Sequence, residues 1–143
     1  MEKAAIITTA NVYNNATPSE QIGGECVANY ITKVARLDKS ASGLKVMLAA
    51  NTWTSSTIKV MYKLVPVGYA GSLDDLDFAF FNTDGRPDSG VINPQNDLFT
   101  FTDYEFSIDD AEEFDAFQIK ISLVGYQQPY IPRVKDFRGI ALA

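Results

Sequence analysis

The chain has 143 residues, of which 46% are hydrophobic and 21% are charged, a composition that predicts one ordinary globular domain. Its 12 basic and 18 acidic residues give a formal net charge of −6, which argues against the basic face that a nucleic-acid-binding protein requires. Histidine is absent from the sequence, and with it the commonest general base and the commonest transition-metal ligand. No apolar run approaches the roughly 18 residues of a membrane span. We therefore expect neither nucleic acid nor a membrane as a partner.

The first 27 residues predict an irregular N-terminal arm. Ile6 and Ile7 open a stretch that is compatible with a short strand, but residues 11–24 are dominated by the asparagine, threonine, serine and glycine typical of turns. We expect the arm to lie either on a neighbouring molecule or on its own domain. The N-terminus lacks the apolar run of a signal peptide, so we expect a soluble protein of a reducing compartment. The single cysteine, Cys26, is interpreted as a small buried hydrophobic residue.

From residue 27 onward, apolar and polar residues alternate in short runs that predict β-strands. The first strand is expected over residues 27–37, followed by a turn at 38–43. The next two are expected over residues 44–50 and 58–64, with a polar loop at 51–56 between them. Their inward-facing residues are Leu44, Val46 and Leu48 in the former, and Ile58, Val60, Tyr62 and Leu64 in the latter.

The second half of the chain continues this pattern after a long connection at residues 71–94. A strand is predicted over 98–108, with a β-bulge near Thr102 and Asp103 because the apolar phase shifts there by one residue. Residues 109–113 predict a single helical turn capped by Asp109 or Asp110. Strict alternation over 117–123 predicts a strand with one buried face and one solvent-exposed face. Alternation then resumes after a polar, proline-containing turn.

Short strands separated by turns, with no helical periodicity between them, predict an all-β fold with antiparallel pairing. The expected architecture is a single-domain β-sandwich, jelly-roll-like, that spans residues 28–143 behind the irregular N-terminal arm at 1–27. No internal repeat and no second domain are evident.

The acidic residues do not match a known catalytic or metal-binding pattern. Asp74, Asp75 and Asp77 lack the glycine and the distal glutamate of an EF-hand loop, and the Asp84 to Asp88 segment is only a loose calcium pattern. We interpret both clusters as solvated loop charges, and residues 109–115 as a charged corner. Paired carboxylates leave a small glycan-degrading enzyme as an alternative. We predict no catalytic residue, no metal site and no cofactor.

Three aromatic residues are candidates for contact with a partner. Trp53 lies in a polar loop, and Tyr126 and Tyr130 flank a Gln-Gln-Pro segment in another. Tryptophan and tyrosine are enriched at protein interfaces and also stack on sugar rings. These side chains are therefore candidates for binding another protein or a host-surface polysaccharide. The alternative is that each folds back over the end of the sandwich.

Six blocks, taken in order, resemble a module of virion structural proteins of tailed bacteriophages. The blocks are YITK (30–33), LKVML (44–48), IKVMYK (58–63), FNTDGRPDSG (81–90), FQIKI (117–121) and IPRVKDFRGIAL (131–142). The module is similar to parts of baseplate- and tail-fibre-associated proteins of contractile-tailed phages of cyanobacteria and other marine bacteria.

This resemblance implies a non-enzymatic structural protein of the virion, assembled in the host cytoplasm. It implies partners among the other virion structural proteins and a homo-oligomer within the particle, in the tail, the baseplate or a fibre attachment. A head-surface decoration protein and a host-polysaccharide-binding module are the alternatives. The family pattern contains no catalytic residue, so none is transferred to this chain.

Overall fold

The structure, a computed structural model, describes residues 5–7, 26–125 and 132–143, with side chains described for 29–124 and 132–143. Within these residues the chain forms nine strands in two sheets. The strands are β1 (Ala5–Ile7), β2 (Cys26–Ile31), β3 (Ala35–Ala41), β4 (Gly43–Asn51), β5 (Ser56–Pro66), β6 (Ala79–Phe80), β7 (Thr102–Ile108), β8 (Phe114–Gly125) and β9 (Arg133–Leu142). This architecture confirms the predicted all-β fold.

The two sheets differ in size, and every strand pair in them is antiparallel. The large sheet has the order β1-β2-β8-β5-β6, and β3 pairs with the first part of β8. The small sheet has the order β7-β4-β9. The two strands predicted in the C-terminal third, β8 and β9, therefore belong to different sheets.

The main hydrophobic core lies between the sheets, where the alternation of β4, β5 and β8 predicted it. The residues of these strands that point between the sheets alternate along each strand, because successive side chains of a strand point to opposite faces. The predicted inward set of β4 is fully buried, and in β5 Tyr62 and Leu64 are half-buried against the same core. The most completely buried members are Leu44, Val46, Ile58, Val60, Phe81, Phe106, Phe114, Ile119 and Ile121.

A residue from the long connection completes this core. Phe81 opens a 3-10 turn, Phe81–Thr83, and its side chain is 0% exposed. Its ring centroid lies 4.8 Å from that of Tyr62 and 5.9 Å from that of Phe106. Tilted and edge-on aromatic contacts of this kind add to the stabilisation that burial alone provides. Phe81 therefore joins β5 of the large sheet to β7 of the small sheet.

The turn that carries Phe81 requires glycine at position 85. Gly85 has a φ of +80°, and a Cβ built there would lie 2.8 Å from Phe80 Cδ1 and 2.9 Å from Lys59 Cβ. Its amide donates to the carbonyl of Phe81 (2.7 Å), and its carbonyl accepts from the amide of Val60 (3.0 Å). A side chain would meet both a conformational and a steric obstacle, so the connection can approach β5 closely only because residue 85 has none.

The second face of β8 is also buried, which corrects the prediction that this face is exposed to solvent. Lys120 and Ser122 are 1% and 0% exposed. The hydroxyl of Ser122 donates to Oδ1 of Asn29, which is itself 0% exposed, over 2.6 Å. Alternation predicts which residues share a face, but it does not show whether another part of the chain covers that face.

The connection after β5 supplies part of this cover. Phe78 is 4% exposed, and its ring centroid lies 4.6 Å from Nζ of Lys63 and 5.4 Å from Nζ of Lys120. Lys63 also donates from Nζ to the carbonyl of Leu73 (3.0 Å). Burial lowers the pKa of Lys63 below its ordinary value. Both lysines are thus accommodated by an aromatic face.

The strand predicted over residues 27–37 is interrupted and forms two strands. β2 ends at Ile31, and the amide of Thr32 donates to the carbonyl of Ile119 (2.9 Å). The amide of Ile119 in turn donates to the hydroxyl of Thr32 (3.0 Å). Because this hydroxyl takes the place of a backbone acceptor, the chain can leave the ladder and resume it at Ala35. β3 then continues to Ala41, so most of the turn predicted at 38–43 is strand.

The predicted bulge in the 98–108 strand is wrong. β7 begins at Thr102 and pairs with β4 without a register shift. Phe99 and Phe101 precede the strand, and the apparent change of phase marks its beginning. A register shift occurs instead in the pairing of β4 with β9, next to Asp136, whose φ is 54°.

The predicted helical turn at residues 109–113 is also wrong. No helix forms there, Asp110 has a φ of 54°, and the amide of Ala111 donates to the carbonyl of Ser42 (2.9 Å). A single residue in the left-handed region turns the chain between β7 and β8, as aspartate tolerates better than most residues. The acidic residues therefore line a corner between strands.

Part of the N-terminal arm is in the large sheet. β1 pairs with β2, with Ile6 opposite Tyr30, so the short strand expected at Ile6 and Ile7 forms. Residues 1–4 and 8–25 of the predicted arm lie outside the described residues. The same holds for the side chain of Cys26, whose expected burial stays a prediction.

Candidate docking site

An exposed apolar tip lies between the long connection and β7. Phe99 is 86% exposed and Leu98 is 45% exposed, and Val91 (55%) lies at the start of the same loop. We call Leu98 and Phe99 the docking tip. Single exposed apolar residues are common on protein surfaces, so the significance of this tip depends on how it is held.

The carboxylate of Asp97 holds the docking tip in one conformation. Its Oδ1 accepts hydrogen bonds from the amides of Phe99 (2.8 Å) and Thr100 (2.7 Å), and its Oδ2 accepts one from the hydroxyl of Thr100 (2.8 Å). These hydrogen bonds, that of the Thr100 hydroxyl first, lower the pKa of Asp97 below its ordinary value. The tip is thus an aspartate-anchored turn.

Strands of the small sheet fasten this turn from behind. The side chain of Asn51, at the end of β4, is 0% exposed, and its Nδ2 donates to the carbonyls of Asp97 (2.9 Å) and Thr100 (2.7 Å). From β9, Nη1 of Arg133 reaches the carbonyl of Leu98 at 3.5 Å. The backbone on both sides of Phe99 is therefore tied to the sandwich.

The preceding part of the loop is fastened in the same way. The amide of Gln95 donates to the carbonyl of Thr52 (2.7 Å), and its Nε2 donates to the hydroxyl of Thr102 (3.0 Å). The amide of Asn93 donates to the hydroxyl of Tyr104 (2.9 Å). Residues 93–102 therefore form a hydrogen-bonded platform under an exposed phenylalanine. Because the loop is already ordered, docking costs less conformational entropy. Aromatic side chains that become buried on docking are typical of interface hot spots.

The structure places Trp53, the first of the sequence-predicted contact residues, half-buried in the loop between β4 and β5. Its amide donates to the hydroxyl of Ser56 (2.9 Å), and its side chain borders a cavity of about 370 Å³. Lys59 and Arg86 also line this cavity, so an aromatic and two basic groups share its wall. Tyr126 and Tyr130 lie outside the described residues.

Asp88, which the sequence predicts to be a solvated loop charge, instead has a structural role. The amide of Ser107 donates to Oδ1 of Asp88 (3.0 Å), and its hydroxyl donates to Oδ2 (2.7 Å). The amide of Asp88 donates to the carbonyl of Glu105 (2.8 Å). Asp88 therefore covers the edge of β7, a common protection for an edge strand.

The described residues contain no group of three His, Cys, Asp or Glu side chains that could hold a metal ion, and no helix among them could cross a bilayer.

The sequence does not predict the docking tip, because the apolar residues Leu98, Phe99 and Phe101 fall within or beside the strand predicted over residues 98–108. A local signal was present: an aspartate two and three residues before Phe99 and Thr100 is typical of a turn in which the carboxylate accepts backbone amides. Hydrophobic periodicity considers only the spacing of apolar residues, so it does not detect a turn that an aspartate side chain defines.

No family model matches the sequence, and no curated protein matches it. Among solved structures, the chain is similar to the crystal structure of the enzymatically active domain of bacteriophage CBA120 tailspike protein 4, with a TM-score of 0.48 and 10% sequence identity. The similarity covers 80% of this chain and 14% of that chain, so this chain spans a small part of its length.

The pH dependence of the tip provides a test of the Asp97 anchor. Because the pKa of Asp97 lies below its ordinary value of 3.8, its ionised form stabilises the tip at pH values above 3.8. That contribution is lost as the pH falls through the lowered pKa. In NMR spectra, we expect the amide shifts of Phe99 and Thr100 to titrate together with a midpoint below 3.8. In Asp97→Asn the titration should disappear, and a wild-type midpoint at or above 3.8 would contradict the assignment.

Proposed function

We propose that this chain is a non-enzymatic structural component of a tailed-bacteriophage virion that acts by docking to other virion proteins. The observation that carries the docking role is the 86% exposed Phe99 on a turn fixed by Asp97 and Asn51. The virion assignment is supported by the ordered sequence blocks that resemble tail- and baseplate-associated modules. A tail, baseplate or fibre-attachment position is proposed, with a head-surface decoration protein as the alternative.

The proposed mechanism is burial of the docking tip in an apolar pocket of a neighbour. Complete burial of a phenylalanine side chain contributes about 1.5 to 3 kcal/mol. The polar groups around the tip, including those of Asp97 and Thr100, already form hydrogen bonds within the loop. Docking would therefore not transfer polar groups without hydrogen-bond partners from water into an interface. Repetition of the contact through symmetric copies in a particle would multiply its effect.

Site-specific photo-crosslinking tests this proposal. A photoreactive phenylalanine analogue at position 99 is expected to give adducts with a virion structural protein in particles assembled in the host. The same analogue at Val67, which is 53% exposed elsewhere on the surface, is the matched control. Phe99→Ala should reduce incorporation of the chain into purified particles, and Val67→Ala should not. Absence of the wild-type chain from purified particles would refute the virion role.

A second candidate function is binding of host-surface polysaccharide, which the cavity beside Trp53 favours. An indole in a wall that also carries Lys59 and Arg86 could stack on a sugar ring and pair with an acidic substituent. Trp53→Ala should then abolish binding to glycans on an array and reduce adsorption to cells. It should leave particle incorporation unchanged, whereas Phe99→Ala should have the opposite pattern.

A further inference from the structure

The outer edge of β9 has no strand beside it. β9 is the last strand of the small sheet, and its partner on the other side is β4. On β7, the carbonyl of Glu105 and the amide of Ser107 bond to the long connection, so they point away from β4. Backbone groups alternate in direction along a strand, so even-numbered residues of β4 bond to β7 and odd-numbered ones bond to β9. By the register of β4 with β9, the backbone groups of Phe137, Gly139 and Ala141 therefore point outward.

The edge at β7 is protected, whereas the edge at β9 is not. Asp88 hydrogen-bonds to Glu105 and Ser107 and covers β7. Within the part of the chain that the structure describes, no backbone group bonds to the outward groups of β9. β9 has a bulge next to Asp136, but residues 138–142 pair with β4 without a register shift. An uncovered, regular edge strand is a template for an additional strand.

β9 also carries exposed apolar side chains along this edge. Ile140 and Leu142 are each 41% exposed. Their partners in β4 are Lys45 and Gly43, which alternate with the buried inward set of that strand, so Ile140 and Leu142 lie on the outer face of the small sheet. Half-buried Met47 lies on the same face, one position along β4 from the partner of Ile140 on that face. The open edge therefore carries apolar surface that a neighbouring strand would cover.

Charge does not favour an acidic or a basic partner at this edge. Arg138 lies on the outer face of β9, and the cavity that it lines is also lined by Asp103, Glu105 and Asp136. Both signs of charge are therefore present within a short distance of the edge. The occupant must instead match the outward backbone groups and the apolar side chains beside them.

We propose that β9 pairs in antiparallel orientation with β9 of a second copy of this chain, around a two-fold axis at residue 140. The backbone of Gly139 in each copy bonds to that of Ala141 in the other, and the two small sheets become one continuous sheet. Such a contact is isologous, so it closes at a dimer. It uses the end of β9 that lies away from Arg133 and the docking tip, and it does not depend on a virion role.

The side chains of β9 select the position of this axis. Because only odd-numbered residues direct backbone groups outward, each odd residue must face another odd residue, and the axis falls at 138, 139, 140 or 141. An axis at 138 or 139 brings the two Arg138 side chains directly or diagonally opposite each other, which is destabilising. An axis at 141 leaves Phe137 without a partner.

With the axis at 140, β9 is complementary to itself. The two Ile140 side chains face each other, and each Arg138 lies opposite Leu142 of the second copy, far from the other Arg138. The exposed apolar side chains of the edge are therefore covered by the same residues of the second copy. Cross-strand apolar pairs of this kind stabilise a sheet, and no like charges are opposed.

The added strand also covers a groove of about 790 Å³ on the inner side of the edge. This groove lies between residues 138–141 of β9 and residues 32–37, and Phe117 also lines it. Ala35 and Leu37 in its wall are partly buried against the core. The residues of β9 that face inward here, Gly139 and Ala141, pair with the inward set of β4 and are small, so a second β9 can lie close over this wall.

Sedimentation equilibrium of the full chain tests the proposal. The wild type should show a dimer whose fraction rises with concentration. Ile140→Lys and Ile140→Glu should each be monomeric, because each variant places two like charges at the axis. A mixture of the two variants should form heterodimers, since opposite charges then face each other. Phe99→Ala, which truncates an exposed side chain elsewhere, should leave the dimer intact.

Disulfide cross-linking determines the register. In a Cys26→Ala background, Ile140→Cys should form a disulfide-linked dimer on mild oxidation. Directly opposite residues of a non-hydrogen-bonded pair lie about 4.5 Å apart at Cα, within reach of a disulfide. Arg138→Cys should not cross-link, because the two positions are far apart in this register.

Four outcomes would overturn the proposal. The first is a wild-type chain that stays monomeric up to about 100 μM. The second is a dimer that persists in both Ile140→Lys and Ile140→Glu. The third is a cross-link through Arg138→Cys but not through Ile140→Cys, which would place the axis elsewhere. The last is loss of the dimer in Phe99→Ala, which would assign the contact to the docking tip.

Discussion

Replacement of Phe81 by alanine is expected to lower the free energy of unfolding by about 3 to 5 kcal/mol, the typical cost of removing a fully buried phenylalanine side chain. Phe81 is 0% exposed and contacts the rings of Tyr62 and Phe106, which belong to different sheets. The truncation leaves a cavity between the sheets, and the strands on both sides limit how far it can collapse. Urea unfolding followed by circular dichroism measures the loss.

Phe99→Ala is the matched control, because it removes the same side chain from a position that is 86% exposed. Its effect on stability should stay within about 0.5 kcal/mol. A similar small loss for Phe81→Ala would show that the connection does not complete the core and that β4, β5 and β8 suffice without it. The comparison also separates the two roles of phenylalanine in this chain, since only Phe99→Ala should impair docking.

Strand positions were predictable from the sequence where one face of a strand meets the main core. In β4 and β5 the apolar alternation predicted both the strand and its inward face, because burial between two sheets requires a period of two residues. The same alternation wrongly predicted that the opposite face of β8 is exposed to solvent. Lys120 is buried because Phe78, far away in sequence, covers it, and no local pattern contains that information.

The candidate docking site shows a related limit. Phe99 is exposed because β7 begins only at Thr102. The apolar run that contains Phe99 instead predicts a strand that begins at residue 98. Hydrogen bonds from Asn51 to the loop link positions that are 46 and 49 residues apart. Such contacts depend on the tertiary fold, so neither a propensity nor a period could predict them. The bulge at Asp136 and the interruption at Thr32 arise from equally non-local pairings.

Replacement of Asn51 by alanine is expected to impair docking as strongly as Phe99→Ala and to lower the free energy of unfolding as well. Two hydrogen bonds from a fully buried amide are lost, at a cost of about 1 to 3 kcal/mol in total. The carbonyls of Asp97 and Thr100 then lose the donor that fixes them against β4. The tip keeps its apolar surface but must be ordered during binding, which weakens the interaction.

Asp97→Asn provides the comparison that distinguishes anchoring from general instability, because Asp97 lies at the surface and its carboxylate acts only within the turn. Both variants should show increased exchange of the amides of Phe99 and Thr100, but only Asn51→Ala should shift the urea midpoint appreciably. If Asn51→Ala lowers stability while the tip amides and particle incorporation remain as in the wild type, the tip is held by its own turn alone. In that case Asn51 would contribute to the fold, and preorganisation of Phe99 would depend on Asp97.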